Sequence, residues 1–225
     1  MKILALDSSG LVASVAVVEN DTLLAEYTVN YKKTHSQTLL PMLDEISNMT
    51  ELDLSTIDAI AVAGGPGSFT GLRIGSATAK GLGLALEKPL ISIPTTAAIA
   101  YNIWDTDKFV CPIMDARRNQ VYTGVYCYTD HRLDTVWEQD TMSIEALAEG
   151  LNCLDHEVIF LGDGVAVYRE KLEALLTIPF SFAPAHVNRQ RAAAVGALAE
   201  VYYKEGKIQT AEEHEPEYLR KSQAE

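Results

Sequence analysis

Three groups of residues in this 225-residue chain are of types that could do chemistry. The densest is Gly64-Gly-Pro-Gly-Ser-Phe-Thr-Gly-Leu-Arg-Ile-Gly75. A strand that ends in a glycine turn and feeds a helix N-terminus presents backbone N–H groups suited to an anion. The loop is not a Walker loop, because no G-x-x-x-x-G-K-[ST] runs through it. Nor is it the dinucleotide fingerprint, because Gly65, Gly67 and Gly71 are spaced G-x-G-x-x-x-G. Two readings stay open for Gly64, Gly65 and Gly67: a phosphate contact, or a tight turn that needs positive φ. The second group is the pair Asp7 and Asp115, each closing a short apolar run. Two carboxylates facing one cleft can hold a hydrated magnesium ion or act as acid and base. Each can equally tie down the hairpin beside it through backbone N–H groups. The third group is a stripe, Gly71, Gly75, Ala79 and Gly83, at every fourth residue. Glycine costs a helix about 1 kcal/mol relative to alanine, so such a stripe needs a compensating close approach. That approach is either to the rest of this chain or to another subunit. Arg73 and Lys80 on the same segment exclude a membrane helix.

Other chemistry is poorly supported. The histidines at 35, 131, 156, 186 and 214 form neither H-x-x-x-H nor H-E-x-x-H, so no histidine metal site is expected. There is no G-x-S-x-G elbow for a hydrolase serine. Cys111, Cys127 and Cys153 make no C-x-x-C pair and read as reduced, mostly buried small residues. Lys+Arg number 18 against 31 Asp+Glu, a net charge of −13, which repels a phosphate backbone. The basic pairs at 32/33, 117/118 and 189/191 read as solvated surface. No apolar run approaches the ~18–20 residues that span a bilayer. The N-terminus meets Asp7 too early for a signal-peptide core, so a cytoplasmic protein is expected.

The elements that must position these residues follow from hydrophobic period. Runs at 3–7, 14–18 and 23–29 predict three antiparallel strands, with a turn signal at 19–21. Residues 34–49 carry apolar residues at 39, 40, 43 and 46 and predict a helix capped by Thr34 or Ser36. Pro41 either kinks that helix or lies near its first turn. A buried strand at 59–63, a helix from Ser68 or Thr70 to 86, a strand at 90–93 and a helix at 96–104 complete one half. The second half repeats this order: strand 110–115 ending in Asp, hairpin 122–137, helix 143–151, strand 158–161 with Gly162 and Gly164, helix 167–176. Such a repeat predicts an internal duplication: two βββαβα-type α/β domains, 1–104 and 105–225. A last helix at 189–205 packs back on either half, and a mobile tail is expected from 216.

With 48% apolar residues the chain has material for a packed core. At these residues it resembles a known family. The signatures are Ile3-Leu-Ala-Leu-Asp-Ser-Ser9 with Ser14-Val-Ala-Val17, His35-Ser-Gln-x-Leu-Leu-Pro-Met-Leu43, the long glycine motif 65–75, Met114-Asp-Ala-Arg117 and Glu215-Pro-x-Tyr-Leu-Arg220. Together they are similar to the TsaB (YeaZ) family of tRNA threonylcarbamoyladenosine biosynthesis proteins. The resemblance implies an actin-like ATPase (ribonuclease H-like) fold. It implies a vestigial nucleotide cleft at Asp7, Ser9, Gly64, Gly65, Gly67 and Asp115, for which no cofactor is firmly expected and ATP or ADP with Mg2+ is the candidate. It also implies a non-catalytic subunit that pairs with a catalytic TsaD-type paralogue and works with a TsaE-type ATPase. That complex transfers threonylcarbamoyl to the adenosine beside the anticodon of tRNAs reading ANN codons. The chain would meet tRNA only through the complex and would form a homodimer when alone. The alternative is a stand-alone glycoprotease-like peptidase or nucleotide hydrolase. Carried over by resemblance, the partner face is Leu39, Leu40, Leu43 and Ile46 on the first helix and Gly71, Arg73, Ile74, Gly75, Thr78, Ala79 and Gly83 on the second.

Overall fold

The computed structural model describes residues 1–31 and 35–220. They divide into two units, residues 1–98 with 190–218, and residues 99–189 with Leu219 and Arg220. The expected boundaries at 104/105 and at the C-terminus are therefore revised, because the chain leaves the first unit at 98 and returns to it at 190.

The first unit holds β1 (Lys2–Asp7), β2 (Val12–Glu19), β3 (Thr22–Asn30), α1 (Leu39–Thr50), β4 (Ala59–Gly65), α2 (Phe69–Leu86) and β5 (Leu90–Pro94). Helix α3 (Thr95–Ala100) follows β5, and α6 (Ala192–Lys204) returns to this unit. The sheet order is β3-β2-β1-β4-β5, with β1 antiparallel to β2 and parallel to β4. Strands β1 and β4 read as unbroken apolar runs because both faces of the sheet are covered. Leu4, Leu6, Val15, Val17, Ile60 and Val62 pack with α1 and α2. On the other face α6 comes so close that a Cβ on Gly196 would lie 2.8 Å from Val18 and 3.2 Å from Ala5.

Helix α1 starts later than expected. A short 3-10 turn, His35–Gln37, precedes it and Thr38 is its N-cap. Ser36 lies in that turn and Thr34 outside the described residues. Pro41 falls in the first turn, where a helix has no intrahelical use for its N–H, so the helix is not broken. Ser68 caps α2, its hydroxyl accepting from the Gly71 N–H at 3.3 Å. Ser68→Ala is expected to lower stability by about 1 kcal/mol, read as a shift in the urea midpoint at constant slope.

The second unit holds β6 (Phe109–Asp115), β7 (Gln120–Thr129), β8 (Arg132–Ser143), α4 (Ile144–Leu154), β9 (Val158–Leu161), α5 (Gly164–Leu175) and β10 (Phe180–Phe182). Its order, β8-β7-β6-β9-β10, matches the first sheet strand for strand. Ile144, Leu147, Leu151, Val165 and Leu172 of α4 and α5 surround Phe160 on one face. Cys111 lies in this core, where burial pushes its thiol up to about 12. Cys153, by contrast, is exposed. The Phe-Ser-Phe strand β10 is too short to show a period. It pairs in parallel with β9, as β5 does with β4.

Candidate functional site

Asp7 ends β1 and is wholly buried. Its Oδ1 accepts from the Ser9 N–H at 2.9 Å and the Ser9 hydroxyl at 2.7 Å, closing the turn into β2. Its Oδ2 has no partner among the described residues. Burial pushes the carboxyl up to about 6, against the opposing pull of the Ser9 hydrogen bonds and nearby His35. Two further side chains flank the same turn. His35 Nε2 donates to the Gly10 carbonyl at 2.8 Å, and its buried Nδ1 has no partner among the described residues. The Gln190 amide presses on Gly10, where a Cβ would lie 2.5 Å from its Nε2, and both its polar atoms lack partners among the described residues. The turn is thus flanked by unpartnered polar atoms of three side chains: a carboxylate oxygen, an imidazole nitrogen and both ends of an amide. That mixed set of donors and acceptors suits a polar ligand, and its carboxylate oxygen suits a cation or a hydrogen-bond donor. Neither His35 nor Gln190 was among the expected site residues. His35 had a signal in the quoted 35–43 motif; Gln190 had none.

The glycine loop has a different character. Only Gly65 has positive φ, +125°, and the glycines beside it serve close packing. A Cβ on Gly64 would strike the Ser92 hydroxyl and one on Gly67 the Ser9 carbonyl. Two of the loop's donors are engaged within the chain. Gly65 N–H reaches the Thr95 hydroxyl at 3.2 Å and Ser68 N–H the Ser9 carbonyl at 2.7 Å. The tail also packs on the loop: Glu217 N–H donates to the Gly64 carbonyl at 2.7 Å, and its own carbonyl lies where a Cβ on Gly65 would go. At Gly65 the Glu217 carbonyl stands where a phosphate would approach. The orphaned Asp7 oxygen is the one feature here that suits the cation of an ATP–Mg2+ ligand.

In the second unit Asp115 repeats the role of Asp7. Its Oδ1 accepts from the Arg117 N–H at 2.9 Å, two residues on, as Asp7 accepts from Ser9. It is only partly buried and well partnered, with Tyr168 OH at 3.2 Å and an Arg117 ion pair at 3.2 Å. Asp163, after β9, accepts from the Asp115 N–H at 3.2 Å, and burial raises its carboxyl above the usual range. Each Asp therefore ties down its own hairpin.

The expected partner face needs correction. Leu39, Leu43 and Ile46 are 1–4% exposed and pack into the core under β1 and β2, while Leu40 points out at 53%. Gly71, Gly75, Ala79 and Gly83 are also buried. A Cβ on Gly71 would strike the Ser8 carbonyl, one on Gly75 would lie 2.5 Å from the Ser8 hydroxyl, and one on Gly83 would strike Leu90. The stripe therefore lets α2 seat on its own sheet; it is not a surface. Arg73 is exposed, while Ile74 and Thr78 are half-buried. The free face of α2 carries Arg73, Ala77, Gly81, Leu84 and Ala85. At Gly81 a Cβ would meet nothing within 4 Å among the described residues. A groove of about 470 Å3 follows, between the end of α2 and residues 208–213, with Leu84 and Ile208 half exposed on its walls. No helix among the described residues is long and apolar enough to cross a membrane.

Two sheets of one strand order, each with an Asp at the end of its first strand and a glycine turn after its fourth, define an actin-like ATPase fold. The same fold is seen in the ROK hexokinase of Thermus thermophilus, at TM-score 0.51 and 14% identity over 92% of this chain and 100% of that one. Closer likeness is specific. A model of the family described as TsaD, tRNA N6-adenosine threonylcarbamoyltransferase, matches residues 22–225. The chain is 32% identical to the tRNA threonylcarbamoyladenosine biosynthesis protein TsaB of Bacillus subtilis (strain 168), over all of this chain and 96% of that one. YeaZ from Pseudomonas aeruginosa superposes at TM-score 0.84 with 27% identity, over 97% of this chain and 99% of the other. The chain belongs to the TsaB (YeaZ) family.

Proposed function

We propose that this chain is a non-catalytic subunit in tRNA threonylcarbamoyladenosine biosynthesis, which docks a catalytic TsaD-type paralogue on the free face of α2. The observation that carries this reading is Gly81, a glycine in mid-helix, on an exposed face, with no neighbour among the described residues to make room for. Glycine there weakens the helix with no return inside the chain. Ala77, Gly81 and Ala85 at four-residue spacing let a second helix lie closer than the usual ~8–10 Å between axes. Leu84 and Leu40, at 56% and 53% exposed, supply the apolar area such a contact buries. The same face serves a homodimer when the partner is missing. The net charge of −13 leaves tRNA to the partner, and the sequence holds no H-x-x-x-H to make this chain the metal-bearing subunit. A TsaE-type ATPase completes the complex.

Solution mass by light scattering tests the docking. The expected result is a homodimer of the chain alone that exchanges into a heterodimer when the TsaD-type partner is added. A monomer that ignores the partner overturns the reading. Transfer activity with TsaD-type and TsaE-type partners and tRNA should require this chain, and none should appear when it is supplied alone.

A further inference from the structure

The C-terminal segment, expected to be mobile, lies along the whole of α2. Ala211 is buried in the core beside Gly83, 3.3 Å from where a Cβ on that glycine would be. Lys80 Nζ donates to the Glu212 carbonyl at 3.3 Å and to the His214 carbonyl at 3.0 Å. Glu217 bonds the Gly64 carbonyl just before the helix. Finally the Tyr218 ring packs on Phe69, the first residue of α2, with centroids 4.9 Å apart, and the Arg73 guanidinium lies 4.1 Å over the Phe69 ring. Contacts therefore run from the C-terminal end of the helix to its N-terminal end as the tail runs forward.

Such support has a physical reason. Four of the eighteen residues of α2 are glycine, so the helix is intrinsically weak and its seated face offers few side chains to bury. Its order must come from tertiary contacts, and the tail supplies them along one flank. We propose that residues 211–218 are a splint for α2, and that Tyr218 is a positioning residue for partner docking although it acts through Phe69. This rests on the docking reading given above, and the test separates the two.

Tyr218→Ala is compared with Tyr218→Phe, which keeps the ring, and with Glu217→Pro, which removes the N–H donated to Gly64. Hydrogen exchange of the α2 amides in the unbound chain reads the splint. Affinity for the TsaD-type partner reads its consequence, with Gly81→Leu as the variant that alters the docking face directly. Tyr218→Ala and Glu217→Pro should each speed exchange in the N-terminal half of α2 at least tenfold and weaken partner binding about tenfold, while Tyr218→Phe restores both. Unchanged exchange in both variants overturns the splint. Faster exchange with undiminished affinity, while Gly81→Leu does lose affinity, overturns the role of Tyr218 in docking. If Gly81→Leu also binds normally, the docking reading falls and takes the positioning role with it, whereas the exchange result still decides the splint.

Discussion

Gly71→Ala and Gly81→Ala, one substitution made twice on α2, are expected to move stability in opposite directions. Intrinsic helix propensity favours alanine at both. At Gly81 nothing opposes it, because a Cβ there meets no atom within 4 Å among the described residues. Gly81→Ala should therefore stabilise the chain, by up to about 1 kcal/mol. At Gly71 the new methyl would fall well under 3.0 Å from the Ser8 backbone carbonyl. Backbone cannot rotate away as a side-chain tip can, and this stretch of backbone is fixed from both ends. The Ser8 hydroxyl donates to the Gly71 carbonyl at 2.8 Å, and the Ser9 carbonyl holds the Ser68 N–H at 2.7 Å. Helix or turn must shift, which costs about 1–3 kcal/mol net of any propensity gain. Urea denaturation of both variants measures the pair. A Gly71→Ala chain as stable as the parent would show that α2 does not seat on Ser8. Docking adds a third arm at the same helix. Gly81→Leu should leave the chain folded and, by the same helix propensity, raise its stability by up to about 1 kcal/mol. By holding a partner helix away, it should weaken the heterodimer at least a hundredfold, about 2.7 kcal/mol. Full partner affinity in a folded Gly81→Leu chain would remove α2 from the interface.

The period-four spacing of Gly71, Gly75, Ala79 and Gly83 made a face legible in the sequence, but spacing cannot say what covers a face. The covering atoms belong to Ser8, Val62 and Leu90, which reach α2 only through the sheet register. The same limit applies to Leu39, Leu43 and Ile46, whose helical period marks an apolar face wherever it is buried; here it is under β2. The duplication was more legible, because an Asp-closed run, a hairpin and a glycine turn recur as ordered local signals. The shared strand order of the two sheets agrees with it. Strand β10 and the tail were not legible, since a three-residue strand has no period and residues 211–218 are ordered by α2 and the glycine loop. Helix ends also lack their usual sequence signal. Glu51, Glu87 and Asp155 take the left-handed conformation at helix ends, where glycine would be the expected signal. Gln190 is silent in sequence because its role is defined only by Gly10, which the fold brings to it.

Asp7→Asn is expected to stabilise the chain at pH 8 and to do little at pH 4. The folded carboxyl titrates at about 6 against 3.8 for the ordinary value, because burial disfavours the charged form. Between those values the folded state binds more protons than the unfolded one. Stability therefore falls as pH rises through this window, and remains lower above it. A shift of that size corresponds to roughly 3 kcal/mol between the neutral and ionised forms. Asparagine keeps an Oδ1 to accept from the Ser9 N–H and hydroxyl, and replaces the orphaned Oδ2 with a neutral amide. The gain at pH 8 should thus approach a few kcal/mol and fade toward zero as the native carboxyl becomes protonated below about pH 4. Urea unfolding of both proteins from pH 4 to pH 8 gives the difference curve. A flat difference across that range would mean that Asp7 does not titrate in the window, and its burial would then not govern its ionisation. A sloping difference has a functional corollary. A carboxylate held ionised at neutral pH against its own desolvation, with one oxygen unpartnered, carries charge that the fold does not need. A cation or hydrogen-bond donor that pairs with Oδ2 should pull the Asp7 transition below about pH 6 and narrow the gap between the two proteins.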